Sequence, residues 1–109
     1  MLSDLYVGAA GAWLRNSFGT GVAGHEIGHN YGLNHANSWD TSDASVIGSG
    51  TSTEYGDSFD TMGSASAGNN HFNARYKNYL NWLTTNDVIT ATSNGTYRIY
   101  AHDNPNATG

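Results

Sequence analysis

The stretch His25-Glu26-Ile27-Gly28-His29-Asn30-Tyr31-Gly32-Leu33-Asn34-His35 holds three of the chain's five histidines and one of its two glutamates. Four residues separate His25 from His29. On a helix that spacing puts them about 40° apart in projection and roughly 6 Å apart along the axis. Both imidazoles then lie on one face, where two nitrogens can meet a zinc ion at about 2.0–2.1 Å. Glu26 lies to the side of that seam. Zinc lowers the pKa of a bound water to about 7, and a neighbouring carboxylate can accept its proton.

His35 cannot join the pair on a continuing helix, because it would stand about 15 Å beyond His25 and off the seam. The chain must turn back after His29, and Gly32 is the residue that permits it. Glycine takes the left-handed conformation that ends a helix without steric penalty. Three neutral imidazoles with one open position is the pattern of a catalytic zinc, whereas structural zinc sites are closed by four protein ligands. The spacing fixes five positions, and a chance match is on the order of one in 10⁴ to 10⁵. A metal site is therefore the expectation, with His25, His29 and His35 as ligands and Glu26 as general base.

The rest of the composition constrains what can surround such a site. The chain has 109 residues, enough for one small domain. It is 38% hydrophobic, with 14 Gly and one Pro, which suits a loop-rich globular piece better than a helical bundle. Charged residues make up 12% and the net charge is −5, so no basic patch invites nucleic acid or an anionic membrane. The absence of cysteine removes disulfides, zinc–thiolate sites and a thiol nucleophile together. The mildly apolar run Leu5–Leu14 is too short to span a bilayer. Asp4 stands where a signal peptide wants positive charge, so the run is read as part of the fold. The triplets beginning at Asn94 and Asn106 fit the glycosylation pattern, but chance accounts for both in a chain this rich in Asn and Thr.

The spacing predicts these elements around the motif. Tyr6–Arg15 reads as a strand or extended edge. Thr20–Tyr31 reads as a helix capped by Thr20 and stopped at Gly32. On that helix Gly21, Gly24 and Gly28 form a stripe beside the histidine seam, suggesting close packing of another segment. Ala23, Ile27 and Tyr31 take the opposite side, expected to face the core. Asn37–Asn70 reads as a long loop that is functional or pinned by turns. Phe72, Tyr76, Leu80 and Leu83 recur at helical spacing, with Asn73 as cap. Val88–Thr92 and Thr96–Ala101 read as short strands around a Ser93-Asn94-Gly95 turn. Trp13, Trp39 and Trp82 are read as core or rim packing, and His71 and His102 as surface or turn residues. Asp40, Asp43, Glu54, Asp57 and Asp60 could offer oxygens to calcium, but loop acids more often cap turns.

The histidine segment resembles the zinc-binding consensus of the metzincin metallopeptidases. Asp60-Thr61-Met62-Gly63 resembles that clan's methionine turn, and Met62 is the only methionine besides Met1. Within the clan the chain is most similar to the gametolysin family. The cues are His29-Asn30, His35-Ala36, the run Glu54–Gly63, Phe72-Asn73-Ala74, Asn81-Trp82-Leu83 and Gly95-Thr96-Tyr97. The similarity runs from about Tyr6 to Tyr100. It implies a secreted or cell-wall-directed zinc endopeptidase with protein or peptide substrates. His25, His29 and His35 would be ligands, Glu26 the base and Met62 the turn methionine; Met62 and the Gly32 break would be the site's structural supports. Gly11–Arg15 would be the edge strand beside which substrate lies.

The resemblance further implies an α+β, metzincin-like catalytic domain truncated on its N-terminal side, over residues 1–86. Residues 87–109 would begin a C-terminal β-rich segment. The chain reads as a fragment of a larger reading frame, because little of the expected upstream sheet precedes His25. Two rival readings stand beside this one. The first is a zinc-binding module without catalysis. The second is a non-enzymatic adhesion or wall protein that carries the histidines by accident.

Overall fold

The computed structural model describes residues 7–12, 14, 16, 18–64 and 70–99. It is a small α+β fold with helix α1 (Thr20–Asn30), strands β1 (Ser38–Thr41) and β2 (Gly50–Thr53), and helix α2 (Ala74–Tyr79). The chain divides into two compact units, Met1–Asn73 and Ala74–Gly109. The first contains the histidine segment.

Helix α1 starts one residue differently from expectation. Gly19, not Thr20, occupies the N-cap, and no side chain caps it. The C-terminus behaves as the sequence suggested. Gly32 has φ +89°, its N–H donates to the His29 carbonyl, and the Leu33 N–H donates to the Gly28 carbonyl. That pair of bonds is the Schellman arrangement, which satisfies two otherwise orphaned carbonyls and reverses the chain. Helix α2 ends the same way with Asn81 at φ +58°. Its N–H donates to the Asn78 carbonyl and the Trp82 N–H to the Lys77 carbonyl. Asn is the residue other than Gly that best tolerates that conformation.

The expected long loop contains a β-hairpin. β1 and β2 pair antiparallel in the register Ser38↔Thr53, Trp39↔Ser52, Asp40↔Thr51 and Thr41↔Gly50. Neither strand alternates apolar and polar residues, so no period of two announces them. Side-chain hydrogen bonds supply what packing does not: Thr53 Oγ1 donates to Asp40 Oδ2 (2.7 Å) and Trp39 Nε1 to the Gly48 carbonyl (3.0 Å). Ser42 closes the far end on the Ser49 carbonyl.

Other expectations fail for identifiable reasons. No strand forms at the described residues of Tyr6–Arg15; residues 7 and 8 make a turn, and Tyr6, Trp13 and Arg15 lie outside the described residues. The two C-terminal strands do not form either: 88–92 and 96–99 carry no strand pairing, and Tyr100 and Ala101 lie outside the described residues. A two-stranded ribbon with no covering layer is marginal in water, and Ile89 and Ile99 are both exposed.

The core among the described residues is small. Leu33, Ala36 and Met62 are its buried apolar members. It lies just past the Gly32 reversal, so Ile27 and Tyr31 on the other side of α1 are exposed rather than core-facing. The glycine stripe explains which side won. A Cβ on Gly28 would stand 2.3 Å from Met62 Sδ and 3.2 Å from Phe72, and one on Gly24 would sit 3.4 Å from Thr61 Cγ2. The 60–63 turn therefore packs onto the glycine face, and only the absence of a side chain at 28 lets the fully buried Met62 sit there.

Candidate metal centre

Two local devices bring the histidines together. His25 and His29 share a face of α1, with ring centroids 4.8 Å apart and planes at 85°. The Gly32 reversal returns the chain, and His35 arrives with its ring 5.4 Å from His25 and 5.0 Å from His29. One ligating atom from each lies within 4.8 Å of the other two, close enough to bind a metal ion. Among the described residues this is the one group of three such side chains that converges.

Each ring is oriented by its outer nitrogen. His25 Nδ1 is 2.9 Å from the Thr61 carbonyl, His29 Nδ1 is 2.7 Å from the Leu33 carbonyl, and His35 Nδ1 is 2.7 Å from Glu54 Oε1. Carbonyl and carboxylate oxygens only accept, so each Nδ1 must carry the proton and donate it. That fixes the tautomer that leaves Nε2 with its lone pair. Hydrogen bonds of this kind orient metal-bound imidazoles and raise their basicity. The donor set thus fits a metal ion. The Schellman turn has two effects here, since its Leu33 also holds His29.

Burial suits the same purpose. His25 and His29 are buried, and His35 is partly exposed. Burial lowers the His25 pKa below 6.5; the Thr61 carbonyl works against it, and His29 adds to it. A neutral imidazole is the form that binds metal. The depressed value has a stability consequence with a definite sign. Below pH 6.5 the unfolded chain takes up a proton at His25 that the folded chain refuses. Stability is therefore lost as pH falls through the window beneath 6.5, by at most about 1.4 kcal/mol per pH unit. Urea unfolding of the metal-free protein at pH 7.5, 6.5 and 5.5 should show a falling midpoint. A midpoint that rises over that range would contradict the buried, neutral His25.

Glu26 is also buried on α1, and its charge acts on both His25 and Tyr55. Tyr55 packs against His35 with centroids 3.9 Å apart and planes tilted by 34°. Partial burial, then Glu54 and then Glu26, raise its pKa above 10.0. Met62 is fully buried in the turn that supplies the Thr61 carbonyl. That turn is held by Asp60, which is 0% exposed. Asp60 Oδ1 accepts the Met62 N–H (2.6 Å) and Oδ2 the Asn73 N–H.

In sequence Glu54 stands among the loop acids that could offer oxygens to calcium and opens the run Glu54–Gly63, with nothing tying it to His35. A usable signal was still there: Glu54 is the one glutamate besides Glu26, and metal-site histidines commonly donate to a carboxylate. The other loop acids hold nearby donors instead. Asp43 Oδ1 accepts the Ser45 N–H and Asp57 Oδ1 the Phe59 N–H, while Asp40 accepts the Thr53 hydroxyl. His71 is exposed, though its carbonyl accepts the Thr61 N–H. His102 lies outside the described residues. No helix among the described residues is long and apolar enough to cross a membrane. No protein-family model matches the chain, and no curated protein or solved structure matches it.

Proposed function

We propose that the chain carries the active site of a secreted, zinc-dependent endopeptidase of the metzincin type, most similar to the gametolysin family. One observation supports this above the others. Three imidazoles converge with every Nδ1 committed to an oxygen, and a buried glutamate stands beside them on the same helix. A site of three nitrogens suits zinc and leaves a position open for substrate. In this reading Met62, packed against Gly28, is the turn methionine beneath the ligands.

When bound, zinc would supply Lewis acidity, polarising a peptide carbonyl and making water acidic near neutral pH. The protein's own residues do the rest. His25, His29 and His35 hold the ion as neutral ligands in one tautomer. Glu26 accepts the proton of the attacking water and delivers it to the departing amine nitrogen. The reaction then balances as water added across one C–N bond.

The test is metal removal. Chelation should abolish cleavage of an unfolded protein substrate, and one equivalent of zinc should restore it. Cleavage that persists in the metal-free chain would defeat the proposal. A module that holds zinc without cleaving is the second reading. It is favoured by the lack of a strand at Gly11, Ala12 and Leu14, where the substrate-binding edge was expected. Stoichiometric zinc with no cleavage at any substrate concentration would select it.

A further inference from the structure

Tyr55 has no role in the chemistry above, yet its placement is unusual in two independent respects. Its ring lies 34° from the plane of His35 at 3.9 Å, and 27° from that of His25 at 5.9 Å. The phenol ring therefore covers His35 at a tilt and faces His25 from farther away. Its backbone sits at φ +59°, the left-handed region. An L-residue there costs about 1–2 kcal/mol. Among the described residues the other two non-glycine positions at positive φ are Asn16 and Asn81, a type that tolerates it. An aromatic residue does not, and such strain persists where surrounding structure over-determines it.

The surroundings do so. Asn37 Oδ1 accepts the Tyr55 N–H at 3.2 Å, and the Gly56 N–H donates to the Thr53 carbonyl at 3.1 Å. Both contacts lie at the root of the β1–β2 hairpin, where Ser38 pairs with Thr53. Glu54 reaches His35 Nδ1 from one side while Tyr55, the next residue, folds back over the same imidazole. The hairpin thus delivers two consecutive side chains to one ligand. Stacking alone would be served by any aromatic ring, but a phenol also carries a hydroxyl that donates at neutral pH. Tyr55 is half-buried and so not sealed from solvent.

We infer that Tyr55 is a further catalytic residue of this site, its phenol O–H donating to the scissile carbonyl oxygen as negative charge develops there. The inference rests on the endopeptidase reading. A preorganised donor aimed at a developing oxyanion stabilises the transition state more than the ground state. No proton is transferred from Tyr55; the hydrogen bond shortens as charge accumulates and relaxes when product forms.

The test compares wild type with Tyr55→Phe in the zinc-loaded full chain, since phenylalanine keeps the ring and the backbone and removes only the hydroxyl. The expected result is a roughly 10²-fold fall in kcat, with KM and zinc affinity within about twofold of wild type. A second readout needs no turnover. A peptide phosphonate, which presents charged oxygens in tetrahedral geometry, should bind Tyr55→Phe about 10²-fold more weakly, while an uncleaved amide peptide binds both proteins alike. Unchanged kcat and phosphonate affinity overturn the inference, and so does a loss of zinc affinity, which would make Tyr55 a support for the ligands. If wild type binds zinc and phosphonate but cleaves no peptide, the endopeptidase reading fails by itself. The phosphonate affinities then still decide whether the hydroxyl holds an oxyanion.

Discussion

Glu26→Gln should leave zinc bound at wild-type affinity and reduce peptide hydrolysis by about 10²–10⁴-fold, the range attributed to a positioned general base. The substitution is nearly isosteric and sits on the same helix as two candidate ligands without being one of them. Its side chain is 8% exposed, so an alanine there would leave a cavity and confuse lost chemistry with lost packing. Glutamine avoids that and removes only the capacity to take a proton. The loss should fall on kcat, with KM little changed, because water activation contributes to the transition state and not to substrate binding. Zinc content measured on the same preparation separates a missing base from a missing metal. Hydrolysis within tenfold of wild type, with zinc present, would remove Glu26 from the mechanism. Hydrolysis lost together with zinc would show that Glu26 holds the site's structure and would leave the base unidentified.

The part of the site nearest the motif was legible because it follows from helix geometry alone. His25 and His29 share a face at i, i+4, and the distance of His35 from them demands a reversal that only Gly32 could make. The glycine stripe was legible as a packing surface for a similar reason: interior glycines cost helix stability of about 1 kcal/mol each unless something approaches closely. Met62 and Thr61 are what approaches. The side of α1 left to the core was misread because Ile27 and Tyr31 are the larger hydrophobes. Yet burial here is decided by where the reversed chain and the 60–63 turn can fit, and that is the glycine side.

The hairpin was not legible because Ser-Trp-Asp-Thr and Gly-Thr-Ser-Thr have no alternating pattern and are joined by hydrogen bonds between polar side chains. With the hairpin hidden, the residues it delivers were hidden too. Glu54 and Tyr55 are far from His35 in sequence and become its neighbours only when Ser38 pairs with Thr53. The C-terminal strands were overread for the converse reason. β-branched and aromatic residues are frequent there, but a strand needs a partner and a covering layer, and local propensity supplies neither.

Asp60→Ala should destabilise the fold by roughly 2–5 kcal/mol and weaken zinc binding by about 10–100-fold. The carboxylate has no exposed surface and accepts two backbone N–H groups, from Met62 and Asn73. Alanine leaves both donors without their acceptor in a region that water does not reach, at about 1–3 kcal/mol each. Part of that loss is offset, because burial already disfavours the charged form of Asp60. Its pKa is raised above 3.8 by desolvation, with the Asn73 and Met62 amides working against the shift. In the window above 3.8 the folded chain therefore holds a proton that the unfolded chain releases. Asp60 accordingly contributes stability that grows as pH falls into that window, opposite in sign to His25. The effect on zinc arises one residue away. Asp60 fixes the turn whose Thr61 carbonyl orients His25, so loosening it frees the imidazole to rotate. Against a total of about 5–15 kcal/mol for a typical domain, and with a core of Leu33, Ala36 and Met62, such a loss brings the metal-free variant close to unfolding. Urea unfolding with and without zinc measures both effects, since bound zinc adds stability that grows with the logarithm of its concentration over Kd. Asp60→Asn separates them. It keeps one acceptor for Met62 but presents an N–H₂ towards the Asn73 N–H, so it should lose less stability than alanine while still weakening zinc. Wild-type zinc affinity in both variants would show that the turn and the metal ligand are independent.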